Sequence, residues 1–131
     1  MEVKIITPHG LYVQSEATQI NATSVDGDFG LLENHMPMVA MLQISRFEIV
    51  HDGDVKEYAI SGGMLQFAAN KAIVLTDSIE GEEEIDLQRA EEARVRAEKR
   101  LQNADSNLNM RRAEIALQKA INRIHVKQTK I

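Results

Sequence analysis

Apolar positions along the chain recur with two different periods, and the change falls near residue 84. Before it, short runs carry β-branched or alternating apolar residues: "VKIITP", "ATQINATSV", "RFEIV", "VKEYAI" and "KAIVLTD". Between them stand "PHG", "DGDFG", "HDGD" and "SGG", where Gly accepts positive φ and Asp hydrogen-bonds a turning backbone. Strands at this spacing predict a sandwich or flattened barrel. From Asp86 onward no Gly or Pro interrupts the chain, and Ala, Glu, Arg, Gln and Leu dominate, a helix-forming composition. At ~100° per residue, Leu87, Ala90, Ala93, Ala97, Leu101 and Ala104 fall on one stripe. Met110, Ala113, Leu117, Ala120, Ile121 and Ile124 fall on a second. The polar "NADSNLN" between the two stripes supplies cap residues, so the pair reads as an antiparallel helical hairpin. The expected fold class is α+β by segregated segments, with an N-terminal β-sandwich over 1–84 and a two-helix hairpin over 85–131.

The hairpin's seam is narrow and rich in Ala. Small side chains let helices approach closely but bury little area, at ~25 cal/mol per Å², so the hairpin is expected to be marginally stable and a candidate moving part. At 131 residues and 44% apolar, the chain has enough material for one compact domain with an appended element. It contains no Cys, which removes disulfides and thiolate metal sites. "MEVKIITPHG" lacks the pattern of a signal peptide, and the longest apolar stretch, "MPMVAML", is far short of the ~20 residues that span a bilayer. No direct membrane insertion is expected.

Charge is divided unevenly. Residues 1–85 hold 4 Lys/Arg against 14 Asp/Glu, a balance of −10, whereas residues 86–131 hold 11 against 6, a balance of +5. Opposite fields in the two halves point to an acidic partner for the C-terminal part, or to docking of one half on the other. The run "EGEEE" at 80–84 reads as a solvated linker whose carboxylates also favour the start of the next helix.

Asp86 immediately precedes the first helical stripe, where an Asp caps free backbone N–H groups. The capping-box position, 89, holds Arg rather than Glu or Gln, so capping explains Asp86 better than Arg89. Arg89, Arg96 and Arg100 stand at i, i+7, i+11 on one flank, and Arg112, Lys119 and Arg123 repeat that spacing on the second helix. Facing the same side, these flanks would form a basic slot for phosphates, with Ala90 leaving room for a ring. The alternative is a pair of solvated faces. In "DGDFGLLENHMPMVAML", Asp28, Glu33, Asn34 and His35 beside Met36 and Met38 can form a contact surface for another protein, or simply a turn leading into a strand.

Catalysis finds little support. There is no G-x-x-x-x-G-K-[ST] loop and no G-x-S-x-G, and the four His are scattered without an i, i+4 pair, so no tightly bound metal is expected. Phe and Tyr occur only before residue 68, leaving the basic hairpin without a stacking platform for nucleic acid.

The order of "GDFGLLENHMP", "SGGMLQF", "IDLQRA" and "RRAEIALQKAINRI" resembles the epsilon subunits of bacterial F-type ATP synthases across essentially the whole chain. One departure is Glu33, where the family pattern G-x-x-G-L-L-P-x-H-x-P has Pro, which bears on the local loop conformation. The resemblance implies a non-catalytic central-stalk rotor subunit that couples proton flow to ATP synthesis. Its sandwich would bind the gamma subunit and face the membrane rotor ring of c subunits, with Asp28 and His35 as ring contacts. Its hairpin would inhibit hydrolysis when extended toward the alpha and beta catalytic subunits. The complex would sit at the cytoplasmic face of the bacterial cell membrane. Bacillus-like members bind ATP as a regulatory ligand through I/L-D-x-x-R-A and arginines on both helices. Residue by residue, this carries over to Glu80, Ile85, Asp86, Arg89, Ala90, Arg96, Arg112 and Arg123. Lys119 stands where Arg is usual in the strongest binders. The rival expectation is a purely structural rotor subunit in which Asp86 only caps a helix. A third, a freestanding enzyme, would require turnover by the isolated chain.

Overall fold

The computed structural model describes residues 1–128. Eight strands come first: β1 Glu2–Thr7, β2 Gly10–Glu16, β3 Gln19–Ser24, β4 Gly27–Leu32, β5 Met38–His51, β6 Asp54–Ala68, β7 Lys71–Leu75 and β8 Ile79–Gly81. A 3₁₀ turn at Glu82–Glu84 leads into α1, Leu87–Gln102, and α2, Asn107–Gln128. The chain divides into two compact units, Met1–Gly81 and a second beginning at Glu82.

In the first unit the strands pair in the order β2-β1-β7-β6-β5-β3-β4, with β8 added to β6. The long β5/β6 ribbon belongs to both layers of the sandwich. Its outer half, Met38–Leu42 with Gly63–Phe67, continues through β7 and β1 to β2. The half nearer its tip, Ile44–His51 with Asp54–Ser61, is flanked by β3 and β8. The core-facing parity changes between the halves. Tyr58 and Ile60 are buried on one side of the switch, and Leu65 and Phe67 on the other; Phe47 and Ile49 likewise give way to Leu42 on β5. Strand side chains alternate strictly, so an even set can follow an odd one only where the strand is locally rewound.

That rewinding happens at Gly62 and Gly63, whose φ values are +84° and +131°. A Cβ on Gly63 would overlap the carbonyl oxygen of Leu75 on β7, so backbone and space both require glycine here. The buried Thr76 supports the switch by donating its hydroxyl to Gly62 O at 2.6 Å. At the ribbon's far tip, Asp52 and Gly53 both have positive φ, the two-residue turn whose twist suits a hairpin.

In the second unit, Ala90 and Ala97 on α1 and Ala113, Ala120 and Ile124 on α2 are buried, as their stripes predict. Met110 and Ile121 depart from the expected stripe: they are 42% and 36% exposed. The seam is centred on the Ala113, Ala120, Ile124 line, and both residues lie at its rim. The turn between the helices is four residues long, with Asn103 closing α1 and Ser106 Oγ accepting from Asn109 N at 3.1 Å to cap α2.

Gly63→Ala should cost the sandwich about 3 kcal/mol or more and lower its Tm by roughly 10–20 °C. Thermal unfolding followed by circular dichroism would check this, with an unchanged Tm contradicting the switch.

Candidate functional site

The start of α1 is built from "EEEIDLQRA". Ile85 is buried and its N–H donates to Glu82 O at 3.3 Å, closing the 3₁₀ turn. Asp86 then takes an extended conformation, φ −91° and ψ 110°, and its Oδ1 accepts the backbone N–H of Arg89 at 3.2 Å. This is N-cap geometry, and it leaves Oδ2 uncommitted by that bond. Ala90 is buried in the seam, while the Arg89 side chain is exposed on the flank.

Arg89, Arg96 and Arg100 are turned about 90° from the Ala90, Ala97 line, and Arg112, Lys119 and Arg123 about 100° from the Ala113, Ala120, Ile124 line, in the same rotational sense. In antiparallel helices equal rotation from the seam points both rows to one side, so the hairpin carries a single basic face. Arg89, Arg96 and Arg112 are exposed on it, and Lys119 and Arg123 are half-buried. The candidate residues nevertheless do not form one cluster. Asp86 and Arg100 are ~21 Å apart along α1, and Arg112 and Arg123 ~16 Å apart along α2. Antiparallel packing therefore brings Ile85, Asp86, Arg89 and Ala90 level with Lys119 and Arg123 at the open end. It places Arg112 near the turn, with Arg96 between. At the turn an open groove of 490 Å³ is lined by Lys99, Arg100 and Arg112 together with Asn103, Asp105 and Asn109. Glu80 belongs to the other unit, half-buried on β8 opposite Ala59.

On the first unit Asp28 and His35 are exposed and held apart by β4. Thr23 on β3 donates to Asp28 Oδ1 at 2.7 Å. His35 lies in the connection after β4, with its ring edge-on to Phe67 at 6.3 Å and its Nδ1 2.8 Å from Met36 O. Asn34 makes the turn with φ +64° and donates its N–H to Asn70 Oδ1. Glu33, the departure from the expected Pro, has its carboxylate 3.2 Å from the Met1 amino nitrogen.

The sequence reading missed one exposed apolar surface. Leu11, Ile6, Leu75, Met64 and Met41 are directly paired neighbours on β2, β1, β7, β6 and β5, forming an apolar row across the outer face of one layer. Leu11, Leu75 and Met41 are 56%, 42% and 52% exposed, and Val39 and Ile73 extend the patch one pair further along. The available signal was the unbroken apolarity of "MPMVAML" and "AIVL", where alternation would have placed polar residues outward. The same layer system carries an acidic area: Glu48 and Glu57 pair directly across β5 and β6. Burial first, and then the Glu57 charge, raise the Glu48 carboxyl above its ordinary range, against the opposing pull of Arg46.

Comparison with known proteins places both units. Residues 1–82 match the family described as ATP synthase, Delta/Epsilon chain, beta-sandwich domain, and residues 83–128 match its long alpha-helix domain. The ATP synthase epsilon chain of Bacillus mycoides is 38% identical over 128 residues, covering 98% of this chain and 96% of the relative. That of an Exiguobacterium species is 40% identical over 132 residues, covering 99% and 97%. Among solved structures, a chain of the Euglena gracilis mitochondrial ATP synthase, in a cryo-EM structure of OSCP/F1/c-ring in rotational state 1, superposes with a TM-score of 0.81. It is 22% identical, with 92% of this chain and 76% of that one covered.

The cap geometry predicts that Asp86→Ala lowers hairpin stability by about 1 kcal/mol, and that Asp86→Asn, which keeps a side-chain acceptor, costs a few tenths at most. Urea unfolding monitored by helical ellipticity distinguishes the two; equal losses would mean that the carboxylate does more than cap.

Proposed function

The chain belongs to the ATP synthase delta/epsilon family, and from that premise we propose that it serves as the epsilon subunit of an F-type ATP synthase, a non-catalytic part of the central stalk. The sandwich docks on the gamma subunit and faces the ring of c subunits, and the hairpin regulates ATP hydrolysis through the alpha and beta subunits. The carrying observation is the in-register apolar row from Leu11 to Met41. An exposed apolar stripe crossing five strands suits a permanent protein contact and no chemistry on a small substrate. Among the described residues no helix is long and apolar enough to cross a membrane. In the proposed role the chain is held at the cytoplasmic face of the membrane by its partners in the complex.

The hairpin is the regulatory part. ATP held at the open end of the basic face, with Asp86 Oδ2 toward the base or Arg89 and Lys119 and Arg123 toward the phosphates, would bridge α1 and α2 and favour the compact state. A ligand shifts such an equilibrium only by its preference for one state. Exclusive binding adds RT ln(1 + [L]/Kd), about 2.7 kcal/mol at 100 Kd. A site far tighter than cellular ATP would stay filled and sense nothing; Lys119, a point charge in place of a planar fork, keeps it weak. The Asp86 to Arg89 cap bond favours a second reading, in which this segment starts a helix and holds no nucleotide.

Two measurements test these readings. Met41→Asp with Leu75→Asp should weaken binding to purified gamma subunit at least ~30-fold, the size of a lost hot spot of about 2 kcal/mol; unaltered affinity would place the contact elsewhere. Calorimetric titration with ATP, against ADP, should show saturable binding that Asp86→Asn abolishes and Lys119→Arg tightens, by up to about tenfold. An absence of heat up to millimolar ATP with the protein folded returns Asp86 to capping alone.

A further inference from the structure

A helical hairpin is tied covalently at its turn, so its stability against opening is decided at the other end. Along most of the seam the fully buried residues are alanines, Ala90, Ala97, Ala113 and Ala120, with Leu87, Leu101 and Leu117 only half-buried beside them. Each alanine adds few atoms to the contact and little attraction. The composition changes toward the open end, where Ile85 and Ile124 are buried at 3% and 7% exposure. There Lys127, in the last described turn of α2, donates its ammonium to the backbone carbonyl of Glu82 at 3.2 Å, across 45 residues of chain. The Glu82 carboxylate lies 4.0 Å from the same nitrogen, and the two side chains are only 32% and 17% exposed. Glu82 O also accepts from Ile85 N, so both of its lone pairs are engaged, one by the segment entering α1 and one by the end of α2. Glu83 and Glu84 complete an acidic turn toward which the ammonium is drawn.

We infer that Lys127 is the clasp of the hairpin: it fastens the end of α2 to the turn before α1, and its release is the first step in separating the helices. This rests on the moving-arm reading above and adds the contact that sets the arm's resting position. Because the turn end cannot part, separation propagates from the clasp inward, past a seam too poor in apolar atoms to stop it. The clasp joins a charged donor to a backbone acceptor in a half-dry site, a stronger class of hydrogen bond than a neutral pair.

The chain contains no Cys, so a cysteine pair replacing the exposed Gln88 and Gln118 accepts spin labels without interference. Pulsed electron paramagnetic resonance on the full chain then reads the fraction of hairpins with separated labels. Lys127→Ala should raise that fraction about tenfold, the scale of a charge-assisted bond, with helix content by circular dichroism unchanged. Lys127→Arg should stay within about twofold of the parent, and Glu82→Gln should give a smaller rise, since the carbonyl acceptor survives. Ala120→Asp, which puts a charge into the seam, serves as the opening control. If it opens the hairpin and Lys127→Ala does not, the clasp is wrong and the moving arm stands. If Lys127→Ala opens it only with loss of helix, Lys127 merely stabilises the end of α2 and the clasp is again wrong. If Ala120→Asp leaves the labels together with helices intact, the hairpin does not open, and both readings fall.

Discussion

Everything in the N-terminal unit depends on how one ribbon changes layers. β5 and β6 are 14 and 15 residues long, and at ~3.3 Å per residue they run the length of the sandwich. A ribbon that long buries its apolar residues in both layers only if the inward parity flips midway. Gly62 and Gly63 make the flip, because their backbone conformations and the approach of Leu75 O leave no place for a side chain. Once it is made, Tyr58, Ile60, Leu65 and Phe67 all face inward, and β1 and β7 on one side and β3 and β8 on the other have edges to pair with. The same flip sends Met64 outward beside Met41 and Leu75, so the apolar surface offered to a partner follows from the rule that builds the core.

The two units are held together by different means. The sandwich buries Phe47, Phe67, Ile5, Ile20, Leu31, Ile60 and Leu65 essentially completely, whereas most of the fully buried positions in the hairpin's seam are alanines and its leucines are only half-buried. At ~25 cal/mol per Å² of apolar surface, the first arrangement is rigid and the second is shifted by modest forces. That contrast suits the proposed roles, in which the sandwich would carry a partner without yielding and the hairpin would change state at the cost of a few contacts.

Electrostatics then decide what can act on the weaker unit. Its two rows of cations share one face, but helix rise spreads each over about 16 Å, so no single nucleotide engages the whole row. The open end combines the Asp86 carboxylate with Arg89, Lys119 and Arg123, while the turn end gathers Lys99, Arg100 and Arg112 around a groove. Charge at the open end bears on hairpin closure, since the turn end is closed by the chain itself.

Much of this was legible in the chain before any coordinates. The change of hydrophobic period near residue 84, the end of Gly and Pro at Gly81, and the Ala stripes determined two architectures in one sequence, because helix and strand periods are local properties. Asp86 as a cap was equally local, its partner being three residues away. Other features depended on tertiary structure. "RFEIV" and "VKEYAI" read as separate short strands, yet they are parts of β5 and β6, whose continuity comes from pairing partners on both layers. β2 and β4 carried weak patterns and are edge strands with one paired neighbour each, so half of their alternation is relaxed. Met110 and Ile121 matched the helical period but lie at the seam's rim, since a stripe's centre is chosen by the surface it meets. The apolar row, the division of the cation row and the Lys127 clasp join residues far apart in the chain. Only folding sets which of them are neighbours.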